Sequence, residues 1–533
     1  MIAAALAVVI IIAALSAMAL YMYRHTGDMA DDAMISARYA RNLAEGHGLR
    51  YNLAPADGPP VEGYSNFLWV LIISGGFYLQ ILPRLVTAYA GGFFALACCL
   101  ALFFLVRRIT GSLWKATASL LILASSLPFM LWAVQGLETV MFAAFATAAA
   151  LFYRHDRPGP LTYVFALLVC LTRPDGLIVA ASVLAGHLFS PERDHRRLAR
   201  SAGIFFLLPF LCYTGFRLFY FGQLLPNVFY AKTGLGTGGL LAGLSYIRGF
   251  GAEHWPVALF FATGVVGLLR SKEFLLKSLP ALMVCVLYVL FIVAVGGDFM
   301  PDYRFVMHVL PLVVTVAVIG GSALEEEIAK HGRVIVAALV LIALAWNIGL
   351  IEHYNREDSF RKGWHEKQAV WYGLASSWLL RHTTTSDTIA CGDIGYIGYV
   401  TGVDRILDTN GLVDPYLASL PGAAGLSSDP HYVLDLKPDY IVVIIHYFEN
   451  NAVIGHSAFD REVLTTKRFQ KEYEKAVEVP GWRSEHRSME DGKIRQSQLM
   501  FRIYKKRQVT NESNPVQTGL VPPCTDITPQ IRL

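Results

Sequence analysis

Apolar residues fill the first two thirds of this chain in long runs, broken by short charged or Gly- and Pro-containing segments. Residues 2–21 are almost wholly apolar, and roughly 20 such residues suffice for a helix to cross the hydrocarbon core of a bilayer. A small-residue stretch at 16–19 resembles a signal-peptide cleavage site, but no basic segment precedes it, so the run reads as an uncleaved first helix. Further apolar runs lie near 66–82, 85–106, 113–134, 139–153, 161–171, 176–188, 202–221, 255–269, 279–295, 305–319 and 334–351. Basic residues at 107–115, 154–157, 193–200, 270–277 and 330–333 mark the cytoplasmic loops. The segments 135–138, 173–175, 223–254 and 296–304 then share the outer side. With 66–82 interfacial or re-entrant, the arithmetic gives about eleven transmembrane helices, the N-terminus inside and the C-terminus outside.

Beyond residue 351 the pattern changes to that of a soluble domain. Residues 367–381 read as an amphipathic helix, 387–391 as a short strand, and 440–445 as a buried strand after the turn Lys437-Pro438-Asp439. The expected organisation is an α-helical polytopic membrane domain over 1–351 with its first outer loop at 24–65, a small extracytoplasmic α/β domain over 352–505, and a disordered tail over 506–533. The tail carries one formal glycosylation triplet at Asn511.

Composition agrees with a multi-span membrane protein: 54% hydrophobic and 16% charged, against about 25% charged for a soluble domain. A net charge of +4 scattered through loops serves topology and gives no nucleic-acid surface. Five of the seven cysteines lie within apolar runs, and no metal-ligand or disulfide spacing occurs.

The chemistry-bearing residues concentrate in the first outer loop and at the outer ends of spans. Asp31 and Asp32 are adjacent just past the first helix. A carboxylate there suits a general base, and mutual repulsion would raise the proton affinity of one of the two; an N-cap for a helix starting near Ala33 is the structural alternative. Arg173, Lys232 and Arg304, with Arg38 and Arg41, are cations at the depth of an anionic lipid phosphate. They suit either stabilisation of a phosphate leaving group or plain snorkelling toward headgroups. Glu62, Glu138, Asp175 and Asp298 stand at span boundaries, where a carboxylate is solvated or paired for a purpose.

Three runs in the first outer loop carry a resemblance: Asp31-Asp32-Ala33-Met34-Ile35-Ser36-Ala37-Arg38-Tyr39-Ala40-Arg41-Asn42, Glu45-Gly46-His47-Gly48-Leu49 and Val61-Glu62-Gly63-Tyr64-Ser65-Asn66-Phe67-Leu68-Trp69. Four later motifs follow in order: Gly136-Leu137-Glu138-Thr139, Leu171-Thr172-Arg173-Pro174-Asp175-Gly176, 224–232 with Asn227 and Lys232, and 296–304 with Asp298 and Arg304. Together they resemble the mycobacterial terminal β-(1→2)-arabinofuranosyltransferase family of GT-C, polyprenyl-phosphate-dependent glycosyltransferases. The resemblance implies an inverting transfer of a sugar, with arabinofuranose as the family's own, from a polyprenyl-phosphate donor to a glycan, lipid-linked saccharide or surface-protein acceptor, on the outer side of a bacterial cytoplasmic membrane. It also implies that an aspartate of the first outer loop, Asp31 or Asp32 with Asp31 the first choice, is the base. The set Arg38, Glu62, Tyr64, Glu138, Arg173, Asp175, Asn227, Lys232, Asp298 and Arg304 would bind donor phosphate or substrate. No cofactor is required by this scheme, although some members of the class bind a divalent cation. The α/β domain is shorter than in the mycobacterial enzyme. A transporter or flippase of lipid-linked sugars is the competing expectation; it would be marked by broken helices and internal repeats, and no clear repeat is seen.

Overall fold

The computed structural model describes residues 2–26, 29–55, 58–191, 194–232, 237–328, 330–356, 360–420, 428–448, 452–487 and 494–507. Residues 508–533, with the expected disordered tail and Asn511, lie outside the described residues, as do 27–28 and 56–57 of the first outer loop.

The fold is mostly helical. Among the described residues five helices are long and apolar enough to cross a membrane, and up to seven if each of two bent pairs counts as one span. The run 113–134, expected as one crossing, is such a pair: Leu113–Ala124 and Leu127–Val134 meet at 61°. The break falls at Ser126-Leu127-Pro128, where proline supplies no N–H to continue the helical ladder. Gly239–Glu253 and Trp255–Arg270 form the other, bent by 100°, again with a proline, Pro256, in the first turn of the second helix. In the span His195–Phe221, Pro209 withholds the bond due to residue 205, and Gly203–Leu207 loosens to a π-helical turn. The segment 66–82 folds as the helix Phe67–Tyr78. At about 1.5 Å per residue it reaches only about 18 Å, too short to cross a bilayer core upright.

After the helices come six strands: β1 (Thr388–Cys391), β2 (Arg405–Asp408), β3 (Tyr440–Tyr447), β4 (Val453–Gly455), β5 (Tyr473–Arg487) and β6 (Ile494–Lys506). The sheet order is β2-β1-β3-β6-β5, with β4 also on β3. β1 is parallel to β2 and β3, whereas β4 and β6 run antiparallel to β3 and β5 antiparallel to β6. The unbroken apolar sequence of β3 suits the central strand of a sheet covered on both faces. Side chains alternate across it: Val442 and Ile444 join the same core as the membrane helices and the helix Phe360–His382, while Ile441, Val443 and Ile445 pack with Val433, Phe459 and Val463 beneath. The helical part and the sheet therefore share one continuous apolar core.

Candidate active site

The helix Asp31–Ala44 lies between the two parts and presents a different face to each. Consecutive residues of a helix point about 100° apart, so Asp31 and Asp32 diverge. Asp31 faces the C-terminal part: its two carboxylate oxygens accept from the backbone N–H groups of Gly395 (2.9 Å) and Tyr396 (2.7 Å), at the start of the short helix Gly395–Thr401. Two turns later, Arg38 grips the other end of that helix. Its guanidinium donates to the carbonyls of Gly398 and Val403 (2.6 Å), and to Tyr51 O (2.8 Å). The approach is close enough to demand glycine, since a Cβ on residue 395 would stand 1.8 Å from the carbonyl oxygen of Asp31. Burial, then the nearby charge of Asp393, push the Asp31 pKa up, against the pull of the two N–H donors.

Asp32, Ile35 and Ser36 form the neighbouring face and line a polar cavity of about 100 Å³ with Tyr64, Asn66 and Glu138. A second cavity, about 480 Å³ and largely apolar, is walled by residues such as Leu177, Ile178, Leu225, Val228, Phe291 and Phe299. Arg173 and Arg304 line both.

Local sequence explains how these two cations are held. Proline at 174 forces Arg173 into an extended conformation, φ −157° and ψ 149°, which ends the helix Pro160–Thr172 and turns the guanidinium inward. Arg173 Nη1 donates to Glu138 Oε1 (2.7 Å) and its Nε to Asp175 Oδ1 (2.9 Å). Tyr288 Oη donates to Asp175 in turn. Arg304 follows two residues with left-handed backbone, Asp302 (φ 61°) and Tyr303 (φ 49°), and its Nε donates to Asp298 Oδ2 (2.6 Å). Glu138 Oε2 accepts from Asn66 Nδ2 (2.8 Å), which also bonds Ser36. A continuous polar chain thus runs from the Asp32 face of the helix, through Ser36, Asn66 and Glu138, to Arg173. Burial alone would raise the Glu138 pKa; Arg173 and Arg304 overcome it and hold the carboxyl below its usual value.

Seven of the residues singled out from sequence line these two cavities: Asp32, Tyr64, Glu138, Arg173, Asp175, Asp298 and Arg304. The structure does not bring Asp31 or Arg38 there; both clamp the Gly395–Thr401 helix. Glu62 is engaged elsewhere, in a buried ion pair with Arg217 (2.8 Å). Asn227 ties the membrane part to the C-terminal part, its amide donating to the carbonyls of Gly411 (2.8 Å) and Leu412 (3.0 Å), and Leu412 closes the polar cavity. Lys232 ends the helix Asn227–Lys232, and its side chain lies outside what the structure describes. Arg217 escaped the sequence reading, although an arginine within an apolar span is itself a signal of a buried partner.

Among the described residues no group of three or more His, Cys, Asp or Glu side chains is arranged to hold a metal ion. In the C-terminal part, burial raises the carboxyl of Asp408 to about 7 against N–H bonds from Val413 and Asn410, and that of Asp460 to about 6 against bonds from Ser457. A folded-state pKa above the unfolded one contributes stability that is complete below about pH 4 and is lost as pH rises through the folded value. The full chain is therefore expected to unfold at a lower temperature at pH 8 than at pH 5, Asp408 alone accounting for on the order of 2 kcal/mol. Asp408→Asn should flatten that slope in thermal melts, and a melting temperature that climbs between pH 5 and pH 8 would contradict the assignment.

Residues 359–499 match a family model described as a domain of unknown function, DUF8728. No curated protein matches the chain. Among solved structures it is similar to ArnT from Cupriavidus metallidurans bound to undecaprenyl phosphate, at 15% identity and a TM-score of 0.46 over 77% of this chain and 76% of that one. The apo state of the same ArnT gives 16% and 0.48 over 78% and 77%. The Archaeoglobus fulgidus oligosaccharyltransferase, in complex with Zn and sulfate, gives 12% and 0.48 over 87% and 79%. These neighbours are GT-C glycosyltransferases.

Proposed function

We propose that the protein is a membrane glycosyltransferase of the GT-C class, moving a sugar from a polyprenyl-phosphate donor to an acceptor hydroxyl with inversion at the anomeric carbon. The observation that carries this reading is that Arg173 and Arg304 line both the apolar chamber and the polar cavity containing Asp32. An isoprenoid tail suits the first and a sugar the second, with the phosphate between them at the two guanidinium groups. Asp32 accepts the proton of the acceptor hydroxyl as its oxygen bonds to the anomeric carbon. The bond from that carbon to the phosphate oxygen breaks with its electron pair on the leaving group, and the polyprenyl phosphate departs against the arginines.

The resemblance left the base as Asp31 or Asp32, with Asp31 the first choice. The geometry favours Asp32, because the Asp31 oxygens already accept two backbone N–H bonds. The resemblance in the first outer loop makes polyprenyl-phosphoryl arabinofuranose the donor to test first, with a cell-envelope glycan as acceptor on the extracytoplasmic side. Purified protein in nanodiscs, given labelled polyprenyl-phosphoryl pentoses and hexoses, is expected to transfer label to acceptor and release polyprenyl phosphate, with an inverted anomeric centre by NMR. Translocation of the lipid-linked sugar across vesicles without any transfer would replace the enzyme by a flippase.

A further inference from the structure

The helix Phe360–His382 opens the C-terminal part, and three of its side chains, His365, Gln368 and Tyr372, recur at i, i+3 and i+7, the spacing of a single helical face. All three are buried. Each reaches a segment far away in sequence that carries, or touches, one of the groups around the polar cavity. His365 Nε2 bonds Asp302 Oδ2 (2.5 Å), two residues before Arg304 and in the left-handed stretch that aims it. The carbonyl of His365 accepts from the Gln135 side chain (3.3 Å), three residues before Glu138. Gln368 Oε1 accepts the backbone N–H of Asp31 (3.3 Å), the residue next to Asp32. Tyr372 donates to Asp393 and stacks on Tyr396, whose own N–H binds Asp31. Rings complete the contact: His365 meets Trp132 edge to face at 5.6 Å, and Trp132 in turn carries the Arg304 guanidinium 5.7 Å from its ring centroid.

We propose that this helix is a splint holding the Asp32, Glu138 and Arg304 segments in register, with His365 and Gln368 as positioning residues. The inference rests on the reading of the polar cavity as the active site. The physical case is that these three groups stand on three separate chain segments, at a helix start, at the residue before another helix and after a left-handed turn, whose mutual placement no single local element sets. A displacement near 1 Å at a reacting centre is enough to lower turnover about 100-fold. The contacts also give the segment matched to the domain of unknown function, 359–499, a task inside the membrane part: its first helix arranges the residues around the substrate without touching it.

The test uses the full chain in nanodiscs with His365→Ala, Gln368→Ala, the double variant and His365→Gln, which keeps an N–H donor toward Asp302. Two readouts are taken, amide hydrogen exchange and steady-state transfer. In the double variant, which removes the side-chain contacts to Asp31, Trp132 and Asp302 but keeps the His365 carbonyl, exchange is expected to quicken together at residues 29–36, 130–135 and 299–306. There kcat falls by about 10- to 100-fold with the donor KM little changed, and His365→Gln recovers most of the loss. Unchanged exchange at the three segments overturns the splint, as does quickened exchange with wild-type kcat. If His365→Ala fails to fold, Gln368→Ala decides by exchange at residues 29–36, the segment its side chain holds, and by kcat. A wild-type chain that transfers nothing refutes the glycosyltransferase reading separately, and exchange still decides whether the helix holds the three segments.

Discussion

Asp32→Asn is expected to lower kcat by about 1,000-fold, the range over which a positioned general base acts, while the KM for the proposed polyprenyl-phosphate donor and the melting temperature stay near wild type. The side chain keeps its size, and what is lost is the ability to accept the hydroxyl proton. Asp31→Asn is the informative partner. There the substitution puts an NH₂ group against one of two backbone N–H donors, a mismatch worth about 1–3 kcal/mol, so its first effect should be a lower melting temperature and looser attachment of the C-terminal part. Single-turnover transfer and thermal melts on both variants separate the roles. An inactive Asp31→Asn of normal stability beside an active Asp32→Asn would exchange them.

Arg173→Ala should give the other large effect, and on two measurements at once. Removing the guanidinium strands Glu138 and Asp175, whose side chains are each only 3% exposed and bonded to it, and breaking a buried pair in this way destabilises by about 3–5 kcal/mol. It also takes away one of the two cations proposed to face the departing phosphate, a loss of about 100- to 1,000-fold in turnover by comparison with other preorganised donors. Arg173→Lys should recover part of the stability and little of the rate, because an ammonium cannot span Glu138 and Asp175 as the planar fork does. If Arg173→Ala keeps both its melting temperature and its turnover, the placing of the phosphate between the two cavities is wrong.

The residues around the cavities were legible in sequence to the extent that they are charges stranded among apolar runs. Arg173, Asp175, Glu138, Asp298 and Arg304 stood out because an ionised side chain at a span boundary needs a partner, and they are each other's partners. Asp31 and Asp32 could not be told apart by adjacency. The distinguishing information lay in their helical companions: Asp31 shares its face with Arg38, and Asp32 with Ile35 and Ser36. Arg38, Glu62 and Asn227 have the residue types of a binding site and hold segments together instead, which only long-range contact reveals. Among the elements, the strands at 388–391 and 440–447 announced themselves by apolar runs next to turn residues. The long β5–β6 hairpin did not. Its charges and Pro480-Gly481 read against a strand, and the structure accommodates them with a register shift between Pro480 and Arg483. The bend between residues 124 and 127 did leave a signal, Ser125-Ser126 and Pro128, which the long apolar stretches on either side outweighed.

That one helix of 14 residues, Asp31–Ala44, fastens the C-terminal part on one side and furnishes the polar cavity on the other limits how the protein can be rebuilt. The region from residue 360 onward is not a cassette to be traded between related chains. A graft would have to carry the matching Asp31–Ala44 helix with it, and divergence of the chain is bound by the same rule, with substitutions near residues 395–403 expected to travel with changes at 31 and 38.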